Sequence, residues 1–352
     1  MQPMYVEVDG RMSDLPCVSA QLVNYNGASD TIECVKSLFD SGHSNISVLV
    51  IDNASSKTDQ RRLEDELGSH VHLIMNDRNL GFAQAHNLGI RYTRRCTKPK
   101  YHLILNNDVV VTHGFLSPLI QALESSDRIG ISGPKIKLLN TNILDSAGSI
   151  FNNIGSAYSR GNGEEDLGQY DGFEIVPMIT SCCMLVKDEV FDRTYPFDDK
   201  FFMYLEELDF NMRLWNRGFL PAYVPSSVVY HRFSSSVKRT TANPVLFKQT
   251  LEEGNRTRIL LKHFPPQSLL RNSHLILLSY LYWQYNTLRI GGFDWFKRLN
   301  LNIISGMRDG LKSRREEREY ILASWLPQVE HMRLENYIVK AGLMEKKHGW
   351  KG

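Results

Sequence analysis

The stretch VSAQLVNYNGASDTIECVKSLFDSGHSNISVLVIDN, residues 18–53, decides the fold. VSAQLVNYN (18–26) is a short apolar run that ends in polar residues, which reads as a buried strand. Asp30 opens a helix, with Glu33 three residues on in the form of a capping box. Ile32, Val35, Leu38 and Phe39 then fall on one helical face, and Gly42 stops the helix. SVLVID (47–52) is the next buried strand. Strand, helix and strand in this order predict two parallel strands joined by a crossover helix.

The alternation continues outward from this unit. A charged helical stretch (59–67) leads to the strand HLIM (72–75). Residues 80–95 read as a helix with Phe82, Ala85 and Leu88 inward and Gly89 allowing close packing, and YHLILN (101–106) is a further strand. The expected class is α/β, a Rossmann-like, mainly parallel sheet flanked by helices, with ligands at the carboxyl ends of the strands. Residues 148–172 carry six glycines and few apolar residues, which predicts an irregular loop over a site. MITSCCMLVKDEVF (178–191) returns to a strand and a helical turn. FFMYLEELDFNMRLWNRGF (201–219) is helical in its second half, with Leu208, Met212 and Trp215 on one side. From Leu246 onward long helical patterns dominate, broken near Pro265 and Pro266 and again at Gly291 and Gly292. The expected division is an N-terminal extension (1–16), a catalytic domain (17–264) and a helical C-terminal extension (265–352).

Composition sets outer bounds. A chain of 352 residues with 42% apolar and 23% charged residues is globular, and neither disordered nor collagen-like. Five cysteines with no CxxC pair exclude a zinc ribbon and predict reduced thiols in a cytoplasmic protein. No stretch approaches the ~20 apolar residues of a spanning helix, and the first residues lack a secretory pattern. The net charge of +2 hides an asymmetry, because residues 255–352 hold 17 Lys and Arg against 8 Asp and Glu. Trp283, Trp295, Trp325 and Trp350 lie in the same part, with Arg289, Lys297, Arg298, Lys312, Arg314 and Arg315. An ordinary helical subdomain or a homodimer interface is one reading of it. Peripheral docking on the anionic inner face of the plasma membrane is the other. A pI of about 8.2 with no recognisable motif argues against nucleic acid.

Three strands end in unusual polar groups: VNYN (23–26), IDN (51–53) and NND (106–108). Each alone is explained by a turn or a helix N-cap. Together, on one edge of a parallel sheet, they bring Asp52 and Asp108 to a cleft with amide side chains beside them. Carboxylates in a cleft suit Mg2+ or Mn2+, and through the metal a phosphate-bearing substrate. Glu206, Glu207 and Asp209 form a second acidic cluster. A solvated helix N-terminus would explain it, since carboxylates are favoured there. Yet 201–205, Leu208 and Phe210 surround it with apolar side chains, and burial with like-charge crowding raises carboxylate pKa as a general base requires. Cys182 and Cys183 read as small buried residues on a strand.

These strings together resemble a family 2 glycosyltransferase of the GT-A fold, closest to bacterial rhamnosyltransferase-like members. The matching stretches are VNYNG (23–27), VIDNAS (50–55), DRNLGFAQAHNLG (77–89), LNNDV (105–109), SCCMLVKDEVF (181–191), FFMYLEELDF (201–210) and VVYHRFSSS (228–236). The resemblance implies that Val23 and Tyr25 flank a nucleotide base, that Asp52 bonds the base edge, and that Arg78 and Gly81 border the nucleoside diphosphate. Asn107 and Asp108 occupy the metal-binding acidic motif, with Asp108 its main carboxylate, and His231 matches a second metal ligand. Glu207 matches the catalytic base, with Glu206 or Asp209 orienting acceptor hydroxyls or holding helix N–H groups. Cys182 lies on the strand beside the donor sugar. The implied reaction is metal-dependent, inverting transfer of a sugar, rhamnose from dTDP-rhamnose or else a hexose from a UDP-sugar, to a saccharide or lipid-linked saccharide acceptor in bacterial surface polysaccharide synthesis. The weighed alternatives are a non-catalytic sugar-nucleotide-binding module and a nucleotidyltransferase; the latter's glycine-rich basic loop is missing from NYNGASD.

Overall fold

The computed structural model describes residues 15–232, 241 and 243–316. Residues 1–14, residues 233–236 of the last matching string, and Trp325 and Trp350 lie outside the described residues. β1 (Val18–Asn24), β2 (Ile46–Asp52), β3 (Val71–Met75) and β4 (Tyr101–Leu105) form a parallel core in the order β3-β2-β1-β4. The sheet continues through β11 (Cys183–Lys187), antiparallel to β4, then β6 (Ile129–Leu138) and β12 (Leu220–His231), a parallel pair. It is therefore mixed, with a parallel half at the N-terminal end of the chain.

Alternation along β1 sends Val18, Ala20 and Leu22 to the face covered by α1 (Ala28–Phe39). On the other face Leu49 and Ile51 meet Ala85 of α3 (Gly81–Cys96). Gly89 lets α3 lie close, since a Cβ there would sit 2.6 Å from the Gln21 side chain. Val23, at the end of β1, is half-buried against this second face.

Three local expectations are corrected. α1 starts at Ala28, ahead of Asp30, and has no side-chain N-cap of its own. Its first N–H groups are met from elsewhere: Gly27 N–H donates to Asn24 (3.2 Å) and Ala28 N–H to Asp59 (3.0 Å). Glu33 instead pairs with Arg232. On α3 the buried positions are Ala83, Ala85, His86, Asn87 and Ile90, while Phe82 and Leu88 are half-buried. The helix is covered from a second side, where Asn87 donates to the Phe197 carbonyl (2.8 Å). The glycine-rich segment is irregular only in its second part, where 160–172 run through turns and bends; its first part is ordered as a hairpin. It holds the hairpin β8 (Ser149–Phe151) and β9 (Ala157–Ser159), with Phe151 and Ile154 buried and Asn152 accepting from two N–H groups of the turn.

The C-terminal helices make a three-helix bundle. α7 (Pro244–His263) is followed by α8 (Pro266–Arg271) and α9 (Ser273–Glu316), and α9 reverses at Gly292 (φ +68°). Its first half packs on α7 through Gln249–Thr287 and Thr257–Tyr280 hydrogen bonds. Its second half approaches α7 through glycine. A Cβ on Gly306 would lie 2.1 Å from the Gly254 carbonyl oxygen, and one on Gly310 2.7 Å from that of Arg258. Arg314 caps the end of α7, donating to Leu261 and Phe264 carbonyls. Trp283 and Trp295 are half-buried on the bundle. Gly306→Ala must therefore push two helix backbones apart. It should lower the unfolding free energy by about 1–3 kcal/mol in denaturant titration. Gly172→Ala, with nothing within 4 Å of the added carbon, should change it by less than ~0.5 kcal/mol.

Candidate active site

β1 and β2 run in register, so Asn24 and Asp52 lie opposite one another at their carboxyl ends. The Asn24 amide donates to Asp52 (2.8 Å) and accepts from the Thr31 hydroxyl (2.8 Å). Asp52 also accepts from the Ser55 N–H (3.0 Å), the Ser55 hydroxyl (2.5 Å) and the Gln60 amide (2.8 Å). It is fully buried with both oxygens engaged. In this arrangement Asp52 organises the strand-end loops and does not present a free edge to a base. Asn53 works similarly, accepting from the Leu80 N–H and donating to the Gly81 carbonyl. Tyr25 is half-buried beside this edge, and Asn107 donates to Thr31 (2.9 Å). Arg78 is exposed, and no ion pair holds it among the described residues.

A second cluster forms where β12 returns beside β5 (Val109–Val111). His231 pairs with Val109 in an antiparallel ladder, which brings it against the preceding residue, Asp108. His231 Nε2 lies 3.1 Å from Asp108 Oδ1, and Nδ1 lies 2.8 Å from Asp145 Oδ2. Asp145 sits on β7 (Leu144–Ser146), paired with β6. The Cys182 sulfur also contacts the ring, and ligand atoms of Asp145, Cys182 and His231 lie within 4.8 Å of one another. Burial opposes charge on His231, but the Asp108 and Asp145 carboxylates on its two ring nitrogens hold its pKa well above the ordinary histidine value. Burial raises the pKa of the Cys182 thiol, so it stays protonated at neutral pH. Its place is in this polar cluster, a more specific position than the sugar-side strand expected for it.

The third cluster opens α6 (Glu206–Asn216). Glu206 is buried, Glu207 is half-buried, and one oxygen of each has no hydrogen-bond partner. Burial and the neighbouring Glu207 raise the Glu206 pKa well above the usual carboxylate range. Burial, then the charge of Glu252, raises that of Glu207, and Lys248 opposes this. The turn entering α6 is strained: Tyr204 (φ +72°) and Leu205 (φ +63°) both hold the left-handed region that non-glycine residues avoid. Two contacts impose it. The Asn255 amide donates to the Met203 and Tyr204 carbonyls (2.9 and 2.8 Å), and the Phe82 N–H donates to the Phe202 carbonyl (2.7 Å). Gly81 permits the latter, because a Cβ there would lie 2.2 Å from the same carbonyl oxygen. Gly81, expected to border the nucleoside diphosphate, thus shapes the glutamate turn.

Asp209 does not face this site. It is fully buried, at 2.9 Å from Arg213, 2.7 Å from Lys262 and 2.8 Å from His263. Burial would raise its pKa, yet these partners hold it well below the usual range. Its contribution is to lock α6 onto α7. The second and third clusters are joined by two consecutive residues: Ser181 donates to Glu206 (3.4 Å) and Cys182 touches His231. Asp145, Lys248, Glu252 and Asn255 were absent from the sequence reading. None stands in a motif, and only packing brings them to the site.

Comparison with known proteins gives the family and the fold. Residues 19–194, half of the chain, match the sequence profile of Glycosyl transferase family 2. The N-acetylglucosaminyl-diphospho-decaprenol L-rhamnosyltransferase of Mycobacterium tuberculosis is 27% identical over 218 residues, covering 56% of this chain and 70% of that protein. The low-salt glycan biosynthesis hexosyltransferase Agl10 of Haloferax volcanii is 25% identical over 199 residues, covering 56% of this chain and 61% of its own. Among solved structures, GalNAc-T7 with UDP, GalNAc and Mn2+ superimposes with a TM-score of 0.53 at 17% identity, over 72% of this chain and half of that one. That likeness shows the GT-A fold. With half of the chain matching the profile and the sheet superimposing on a solved glycosyltransferase, this protein is a glycosyltransferase belonging to glycosyl transferase family 2.

Proposed function

We propose that the protein moves a sugar, rhamnose from dTDP-rhamnose, to a lipid-linked saccharide acceptor in bacterial surface polysaccharide synthesis, with inversion at the anomeric carbon. The observation that carries the site assignment is the Ser181–Cys182 link, which sets the Asp108–His231 cluster beside the Glu206–Glu207 pair. The donor and acceptor rest on the mycobacterial relative, whose name specifies rhamnosyl transfer to a diphospho-decaprenol sugar. A UDP-hexose donor is the second reading, supported by the hexosyltransferase relative. We read 17–264 as the catalytic domain and 265–352 as the helical extension, with α7 shared between the two.

The donor set fits a hard divalent cation. Two carboxylates, Asp108 and Asp145, close on one histidine ring, so the cluster concentrates negative charge about a group that would otherwise keep a proton. Asp108 and His231 would hold Mg2+ or Mn2+, with Asp145 fixing the ring through Nδ1. The protonated Cys182 thiol is a poor ligand for either ion. When bound, the cation neutralises charge on the departing diphosphate. Arg78, exposed next to the Asn79–Gly81 turn, adds a positive charge for the same diphosphate. Val23 and Tyr25 line the edge where a base would stack. Asn107, held by Thr31, borders the cation site.

Glu207 takes the proton of the acceptor hydroxyl as that oxygen bonds to the anomeric carbon. The bond from that carbon to the diphosphate oxygen breaks on the opposite face, so the electron pair leaves with the nucleotide. Glu206 shares the same space, and burial raises the proton affinity of the pair, which makes Glu207 a stronger proton acceptor than an ordinary carboxylate. Asn255, by holding the strained turn, positions Glu207.

Three outcomes follow. Glu207→Gln should lose ~10²–10⁴ in kcat while a nucleoside diphosphate with Mn2+ still raises the melting temperature. In that thermal-shift panel, stabilisation by dTDP supports rhamnose, stabilisation by UDP alone supports a hexose, and none with any nucleotide rejects the site. The acid limb of kcat/KM should lie above the ordinary glutamate range, because the base works only after deprotonation. Glu252→Gln should move that limb to lower pH and Lys248→Gln to higher pH, following the charges each removes. Asp145→Asn should weaken Mn2+ binding, read by calorimetry, by ~10–100-fold.

A further inference from the structure

The α9 hairpin turns an unusual face away from α7. On its first half Leu277, Leu281, Tyr285 and Leu288 recur at helical spacing and are all exposed, Leu281 at 54%. The opposite positions, Leu275, Ser279 and Asn286, are buried. On the second half Phe293 (70%), Leu301, Ile304 (61%) and Leu311 occupy the outer stripe. Exposed cations stand among them: Arg289, Lys297, Arg298, Arg308 and Arg315. Against these, Asp294 is the exposed acid of the hairpin's described side chains, because Asp309 is buried between Arg258 (3.1 Å) and Arg308 (3.2 Å), whose charge it partly offsets. No helix among the described residues is long and apolar enough to cross a membrane.

We propose that this outer face docks in the plane of an anionic lipid surface. Charge decides among the occupants. A second copy seated face to face would set one cationic stripe against another. Residues 317–352 carry six Lys and Arg against five Asp and Glu, so they offer no acidic complement. An anionic leaflet meets both features at once: leucine and phenylalanine enter the headgroup boundary while arginine and lysine remain at the phosphates. α7 lies between this face and the site, and it also supplies Lys248, Glu252 and Asn255 beside Glu207. The docking thus goes beyond the transfer reaction and does not depend on which sugar is moved.

The test is co-sedimentation of the full chain with phosphatidylcholine vesicles, with and without phosphatidylglycerol, at low and high salt. Binding should require phosphatidylglycerol and fall as salt rises. Lys297→Gln with Arg308→Gln should weaken it roughly five-fold per cation removed. Leu281→Glu with Ile304→Glu should abolish it, with circular dichroism and melting temperature unchanged because both side chains are exposed. Wild-type protein that stays in the supernatant, or binding that ignores both double variants, overturns the proposal. So does a dimer in analytical ultracentrifugation that Leu281→Glu dissociates without any lipid binding, which would assign the face to a second copy. The readout is lipid partition, so a failed transfer assay leaves it intact and a failed partition leaves the transfer reading intact.

Discussion

A single buried carboxylate ties α6 to α7. Asp209 lies on α6, fully removed from water, and meets Arg213 on its own helix and Lys262 and His263 on α7. Charges buried this deeply are tolerated only as a set, and removing one member leaves the others uncompensated at a cost of ~3–5 kcal/mol. Lys262 also reaches Asp198, and Arg213 reaches backbone carbonyls at Tyr195 and Pro196, so the set extends into the segment that precedes the glutamate turn. Orientation of α6 follows from it. So does the approach of α7, from which Asn255 reaches the turn.

That rigidity is what lets Tyr204 and Leu205 stay in unfavourable backbone conformations. Such residues cost of order 1–3 kcal/mol each and persist only where their surroundings over-determine them. Here the surroundings are the Asn255 amide, the Phe82 N–H and the absent side chain of Gly81. The strain is stored next to the two carboxyl groups whose proton affinity is raised by burial. Packing elsewhere in the fold therefore maintains a site that is locally unfavourable in both backbone and charge. The acid–histidine cluster has a different logic. Its groups arrive on the antiparallel part of the sheet, where β12 returns beside β5 and β7 beside β6.

Periodicity in residues 18–106 determined the parallel half of the sheet, since strands buried on both faces and helices with one apolar side leave few other arrangements. The polar residues at the strand ends do come together at one edge of the sheet, and the matching strings singled out Asp108, Glu206, Glu207 and His231. What each polar residue does was decided by tertiary structure alone. Asp52 and Asp209 look as available in the sequence as Asp108, yet both are consumed by internal partners. Asp145 and Asn255 stand in unremarkable surroundings along the chain and become important only through contacts to residues 86 and 51–52 positions away. The glycine-rich segment read as a loop because composition does not report that Phe151 and Ile154 find a core to enter. A sequence records which side chains can accept a charge or fill a core. Which of them are left facing a ligand depends on the partners folding supplies, and those lie too far along the chain for any local pattern to show.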